Sequence, residues 1–205
     1  MTTRRREVAL AGHVGDLDGA VEGLSDADPA VRGTAIGAMA RLGALDLDLL
    51  ERNLSDPAPS VRARAAELAI PFGAPGADLL THALSDPDPV VVEAACFALG
   101  EIGEAAGTTA NGVIAPAVTA LCSVSLGHRD PLCREAAVAA LGAIGHQSGL
   151  PAILAAADDK PAVRRRAVLA LAPFSGPEVE AALARALTDR DWQVRQAAED
   201  LTSRS

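Results

Sequence analysis

The chain has 205 residues and a formal net charge of −9, with 49% hydrophobic and 22% charged residues. Tyr is absent and Phe and Trp together number four, which argues against a β-sandwich or barrel and favours helices rich in Ala and Leu. The acidic balance argues against a general nucleic-acid binder, which needs a basic face to displace counterions from phosphate. Three scattered cysteines fit a reducing compartment and leave no disulfide framework.

The amino terminus carries basic residues but no continuous apolar core with a cleavage site, so it does not resemble a secretory signal. The longest apolar candidate, Val113 to Val124, falls short of the roughly 18 residues that a membrane span needs. These features predict a cytoplasmic protein with no membrane association.

One short motif recurs six times along the chain, as DPAVR from Asp28 to Arg32 in the first copy and DPLCR from Asp130 to Arg134 in the fourth. Each copy has an apolar anchor residue, and an alanine follows every anchor four residues later. The anchors are Val31, Val61, Val91, Cys133, Val163 and Val194. Their regular spacing, broken by one longer step between Val91 and Cys133, identifies internal repeats.

The spacing within a repeat predicts a helix that begins at the proline of the motif. Apolar residues at the anchor and at the fourth, seventh, eighth and eleventh positions after it form one helical face. A glycine twelve residues after the first four anchors can close the helix in the left-handed conformation. The pattern predicts main helices near 30–42, 60–72, 90–102, 132–144, 162–173 and 192–202, each preceded by a shorter antiparallel helix. Neither helix of a pair can bury its apolar stripe alone, so the repeats must stack.

The repeated proline, Val-Arg and alanine pattern resembles the HEAT-repeat family, particularly the short bacterial repeats described as tetrapyrrole-lyase-like. The resemblance implies an all-α fold, an α-α superhelix of about six helical hairpins. It predicts a single domain over residues 1–205, in which residues 1–15 form an N-terminal half-repeat cap. Residues 104–127 hold the extra length and are expected to form an irregular longer connection or helix.

The resemblance also implies a structural ladder of charged residues, in which an aspartate and an arginine six residues later link successive repeats. The matching pairs in this chain are Asp26 with Arg32, Asp56 with Arg62, Asp158 with Arg164, and Asp189 with Arg195. Two copies depart from the pattern. The residue six positions after Asp86 is Val92 instead of arginine, and the residue six positions before Arg134 is His128 instead of aspartate.

Catalytic chemistry finds little support in the sequence. The four histidines are far apart, and no CxxC pair or phosphate-binding loop is present. HEAT-repeat hydroxylases bind two irons through His-Glu dipeptides, but here the glutamates Glu93 and Glu135 follow Val92 and Arg134. We therefore expect no enzyme, no catalytic or metal-binding residue and no cofactor.

The function that these features favour is a monomeric protein-binding scaffold. Positions two, six and ten residues after an anchor should point away from the core and line the concave face. The residues predicted to bind a basic, partly apolar segment of another protein are Glu67, Glu93, Phe97, Glu101, Glu135, Arg165 and Leu169. Phe97 has two readings, a core residue packed on the longer connection or an apolar anchor for the partner. The alternative functions are a chromophore-lyase-like or other enzyme-associated regulatory subunit and, against the acidic charge, a nucleic-acid-binding protein.

Overall fold

The computed structural model describes residues 3–106 and 111–203. Over these residues the chain forms thirteen α-helices and no β-strand. The helices are α1 Thr3–Val14, α2 Leu17–Gly23, α3 Pro29–Arg41, α4 Leu47–Leu54, α5 Pro59–Glu67, α6 Ala74–Ala83, α7 Pro89–Ala106, α8 Asn111–Gly127, α9 Pro131–Ile144, α10 Leu150–Ala155, α11 Pro161–Ala170, α12 Pro177–Ala186 and α13 Trp192–Thr202. The predicted all-α fold of helical hairpins is confirmed.

The repeat motif starts the main helices as its sequence predicts. In α3 the Asp28 side chain accepts a hydrogen bond from the Ala30 amide, and Pro29 occupies the first helical position. The same cap forms at α9, where Asp130 accepts from the Leu132 amide. Each cap satisfies an amide that has no partner within the helix, and proline there loses no hydrogen bond.

Three main helices end at other residues than the sequence predicts. The helix α5 ends at Glu67 and α11 at Ala170, because Pro71 and Pro173 cannot continue a regular helix. The helix α7 instead runs through Gly103 to Ala106, since the residues that follow this glycine are helix formers. The predicted left-handed glycine closes two of the main helices. Gly145 after α9 has φ 65° and donates to the Leu141 carbonyl, and Gly43 after α3 has φ 68° and donates to the Ala40 carbonyl.

The longer step between the third and fourth repeats is taken up by helices. The prediction of a shorter partner before every main helix is wrong at α8, which has 17 residues against 14 in α9. The predicted irregular segment, 104–127, consists of the end of α7 and all of α8, while residues 107–110 lie outside the described residues.

The chain divides into two compact units, residues 1–98 and 99–205, with the boundary inside α7. In the first unit α3 packs against both α1 and α5; residues 1 and 2 of the predicted cap lie outside the described residues. In the second unit α9 and α11 pack together, as do α11 and α13. Every anchor and the alanine four residues after it are buried, so these positions form the repeated core contacts.

Close approach of neighbouring helices depends on glycine at specific positions. A Cβ built on Gly142 of α9 would lie 2.7 Å from the Cα of Ala170 in α11. By contrast, a Cβ on Gly33 of α3 would meet no atom within 4 Å. Gly142 is therefore required for close packing of the helices, whereas Gly33 has no packing role and only lowers the stability of its helix.

We expect Gly142→Ala to destabilise the protein by about 1–3 kcal/mol, because the added methyl group must push α9 and α11 apart. The matched control Gly33→Ala should stabilise by about 0.5–1 kcal/mol, because alanine is the better helix former in open space. Urea unfolding followed by circular dichroism measures both values. Equal effects of the two substitutions would show that the helices do not pack this closely.

Candidate functional site

Arginine and aspartate side chains form four bidentate ion pairs among the described residues. In the first compact unit Arg32 donates from Nε and Nη2 to the two carboxylate oxygens of Asp56, at 2.8 and 2.7 Å. Arg62 holds Asp86 in the same way, at 2.7 and 2.8 Å. The corresponding pairs of the second unit are Arg134 with Asp159 and Arg164 with Asp189. Planar guanidinium and carboxylate groups match in this geometry, which fixes both orientation and distance.

Each of these side chains also holds the backbone of its own turn. Nη1 of Arg62 donates to the carbonyl oxygen of Asp56 at 2.9 Å, and the Asp56 carboxylate accepts from the Ala58 amide at 2.8 Å. An arginine thus bonds the backbone of the turn before it and the carboxylate of the turn in the next repeat. The sequence pattern predicted that Asp56 and Asp189 pair with the arginine six residues later. Their carboxylates instead contact the arginine of the preceding repeat, Arg32 and Arg164 respectively.

Two further ladder positions, Asp158 and Asp86, depart from the predicted pattern. Asp158 was expected to pair with Arg164, but it lies exposed in the short 3₁₀ helix Ala156–Asp158, and Asp159 takes its place in the turn. Asp159 accepts from Arg134 through its carboxylate and from Arg164 through its carbonyl oxygen. Asp86 has Val92 in place of an arginine six residues later, but its carboxylate still accepts hydrogen bonds from Arg62. The sequence contained a signal for this pair, because Asp86 follows Arg62 by the same 24 residues that separate Asp56 from Arg32.

The fourth repeat builds its turn with a histidine. Nδ1 of His128 accepts a hydrogen bond from the Asp130 amide at 3.1 Å, as the Asp56 carboxylate does from the Ala58 amide. The His128 carbonyl oxygen accepts from Nη1 of Arg134 at 2.7 Å. The imidazole therefore replaces the turn-forming function of the aspartate but provides no negative charge.

The ion pairs lower the pKa of their carboxyl groups. Hydrogen bonds from Arg32 lower the pKa of Asp56, and hydrogen bonds from Arg134 and Arg164 lower the pKa of Asp159 and of Asp189. For Asp86, burial acts to raise the pKa, but the hydrogen bonds from Arg62 and the Asp88 amide outweigh it and the net change is downward. All four carboxyl groups are therefore held in the charged form.

The residues predicted to bind a partner are distributed over both compact units. In the first unit Glu93 and Phe97 are exposed on α7, with Phe97 at 56% of its maximal accessible surface. Phe97 is therefore not a core residue. Glu67 is exposed at the end of α5 and forms an ion pair of 2.7 Å with Arg64.

In the second unit Glu101 and Arg165 are exposed, while two predicted residues are engaged within the fold. Glu135 forms an ion pair with Arg166, at 3.4 Å between Oε1 and Nη2. Leu169 is partly buried and packs on the core cluster that contains Val168 and Val194. The prediction that Leu169 points outward to bind a partner is therefore wrong.

The part of the chain that the structure describes contains no candidate metal site, and two of its three cysteines are buried. No group of three or more His, Cys, Asp or Glu side chains is close enough together there to hold a metal ion. Cys96 and Cys133 are buried, and burial raises the pKa of the half-buried Cys122 thiol. Within the same residues, no helix is long and apolar enough to cross a membrane.

A groove in the first compact unit was missed by the sequence reasoning. It runs over α1, α3 and α5, and its charged residues include Arg5, Arg41 and Arg64. A sequence signal for this groove was present at the position three residues after each anchor. That position is Thr34 in α3 and Arg64 in α5, and both residues line the groove.

Stacked pairs of antiparallel helices with a repeated Asp-Arg turn define an α-helical hairpin repeat protein, an all-α solenoid. The model of the family "HEAT repeats" matches residues 47–110 and 117–201, which is more than half of the chain. The chain belongs to the HEAT-repeat family.

Solved structures with similar folds share little sequence with this chain. The Escherichia coli protein YibA has a TM-score of 0.70 and 17% identity, covering 99% of this chain and 75% of that one. An engineered protein gives 0.68 and 22%, over 92% and 97%. Human deoxyhypusine hydroxylase in complex with glycerol gives 0.50 and 23%, over 98% and 78%. At these identities the similarity shows the fold alone. No curated protein matches the sequence significantly.

The lowered pKa values predict a pH dependence of stability that belongs to the ion pairs. Because the folded pKa of Asp56 lies below its unfolded value of about 3.9, the pair stabilises fully above that value. This contribution is lost as the pH falls through the unfolded and then the folded pKa, by about 1.4 kcal/mol for each unit of pKa difference.

Urea unfolding of the protein and of Arg32→Met at pH 7, 5 and 3.5 measures this contribution. The variant should lose less free energy of unfolding between pH 5 and 3.5 than the unaltered protein, because Asp56 no longer has its partner. An identical loss in both proteins would mean that the Arg32 to Asp56 pair does not contribute to the acid sensitivity.

Proposed function

We propose that the protein is a non-catalytic protein-binding scaffold and that the exposed face of α7 around Phe97 is one of its binding sites. The observation that carries this proposal is the 56% exposure of Phe97, one of only three phenylalanines in the chain. Burying an aromatic ring against a partner recovers apolar surface that the fold leaves in water.

The surroundings of Phe97 indicate the chemistry of the partner. Val90 is 48% exposed seven residues earlier, and Glu93 is exposed between them, so the three residues share one helical stripe. No basic side chain of the described residues lies within ion-pair distance of Glu93. Glu101, four residues after Phe97 in sequence, is also exposed. Two apolar side chains next to an unpaired carboxylate suit a basic, partly apolar segment, since the charge steers encounter and the ring supplies affinity.

The HEAT-repeat family assignment supports this proposal, because repeat solenoids present extended surfaces to partners. No histidine of the sequence is followed by a glutamate, so the chain lacks the His-Glu dipeptides of HEAT-repeat hydroxylases, which is compatible with a scaffold. The specific partner chemistry depends on the α7 stripe of Val90, Glu93 and Phe97.

The substitution Phe97→Ser tests the proposed site. An exposed side chain contributes little to folding, so we expect a melting temperature within about 2 °C of the unaltered protein. Binding of a fluorescein-labelled 12-residue peptide of alternating Lys and Leu should weaken at least about tenfold, the scale of a hot-spot aromatic. Fluorescence anisotropy titration of the full chain gives the two dissociation constants.

Leu126→Ser is the matched control, because Leu126 is exposed to a similar degree, 59%, on α8. It should leave peptide affinity within about twofold, and a peptide with Ser in place of Leu should bind more weakly to every protein. The proposal fails if the Lys-Leu peptide does not bind, or if Phe97→Ser lowers the melting temperature strongly and leaves affinity per folded molecule unchanged.

A further inference from the structure

The first compact unit contains a groove that the α7 site does not include. It lies over α1, α3 and α5 and has a volume of about 540 Å³, within the range of protein ligand sites. Its polar lining residues are Arg5, His13, Thr34, Arg41, Ser60 and Arg64.

The charge of this groove is opposite to that of its surroundings. Residues 1–98 contain eight arginines and fifteen aspartates and glutamates, yet the residues that line the groove include three arginines and no carboxylate. Such separation of charge within a strongly acidic unit favours a local positive potential over the groove, which attracts anions.

Two guanidinium groups of the groove lie against the same glycine. A Cβ built on Gly37 of α3 would be 3.3 Å from Nη2 of Arg64 and 3.7 Å from Nη1 of Arg41. Glu67 neutralises Arg64 from one side, but no carboxylate of the described residues lies within 4.0 Å of Arg41. An anion placed between the two guanidinium groups would relieve their repulsion and accept several charge-assisted hydrogen bonds.

The floor of the groove is formed by small residues, which allows a polypeptide backbone to approach closely. Ala9, Ala30 and Gly33 line it, and the Cβ position of Gly33 is in open space. Next to them Nε of Arg5 donates to Oγ1 of Thr34 at 3.1 Å, which holds the Arg5 side chain across the α1 to α3 contact.

We propose that this groove binds an acidic, extended segment of another protein, whose carboxylates lie against Arg41 and Arg64. Single-stranded nucleic acid is the less suitable anion, because no aromatic side chain lines the groove for base stacking. A nucleic-acid strand longer than the groove would also place its phosphates near the carboxylates that outnumber the arginines of the unit, and these would repel it. The two surfaces are independent, since the α7 stripe is acidic and apolar and this groove is basic.

The probe is a fluorescein-labelled decapeptide of alternating Glu and Ser, titrated with the full-length chain at 50 mM and 200 mM salt. We expect binding that weakens with salt, and at least tenfold weaker binding in the double variant Arg41→Gln/Arg64→Gln. Arg52→Gln is the matched control, because Arg52 is exposed on α4 outside the groove, and it should change affinity less than twofold.

A second variant tests the site without removing an arginine. Gly33→Glu places a carboxylate in the open space of the groove, so it should abolish binding while the melting temperature stays equal or rises, since glutamate favours the helix. The proposal is overturned if the Glu-Ser peptide does not bind, if a Gln-Ser peptide binds equally well, or if the variants bind like the unaltered protein. Tighter binding of a labelled twelve-nucleotide oligothymidylate, lost in the same variants, would overturn it in favour of a nucleic-acid site.

Discussion

The bidentate pairing of an arginine with the aspartate of the next repeat is the constraint on which each compact unit depends. Arg62 is the example: its guanidinium bonds the carboxylate of Asp86 and, through a third nitrogen, the carbonyl oxygen of Asp56. Both side chains of the pair are only 10–12% exposed, so neither has water as a good replacement partner. The pair fixes the distance between successive turns, and the alanine contacts of the main helices then pack at a defined depth.

Exposed features follow from this arrangement, because the ladder and the alanine core use one side of each repeat. Several outward positions of the main helices are exposed to solvent. In the first compact unit they differ in chemistry: α7 presents Val90, Glu93 and Phe97, whereas α3 and α5 present Arg41 and Arg64. A short, regular repeat can therefore display surfaces of opposite charge without any change in its core.

The sequence was sufficient for those features that recur in register. The anchor spacing predicted the main helices, and the prolines predicted where they begin. The details that it did not predict depend on one neighbour or one turn: Pro71 ends α5 early, the 3₁₀ turn shifts the ladder from Asp158 to Asp159, and Leu169 is drawn onto the core. The candidate surfaces required the structure, because exposure of Phe97 and proximity of Arg41 to Arg64 arise from contacts between repeats.

The most direct test of the ladder is a double-mutant cycle on Arg62 and Asp86, using Arg62→Met, Asp86→Asn and the double variant. The coupling energy is obtained from the four free energies of urea unfolding at pH 7, which separates the pair from the other contacts of each side chain. We predict a favourable coupling of about 1–3 kcal/mol, since removing either partner alone orphans a largely buried charge. Additive effects, with coupling within about 0.3 kcal/mol of zero, would contradict the central role of the ladder.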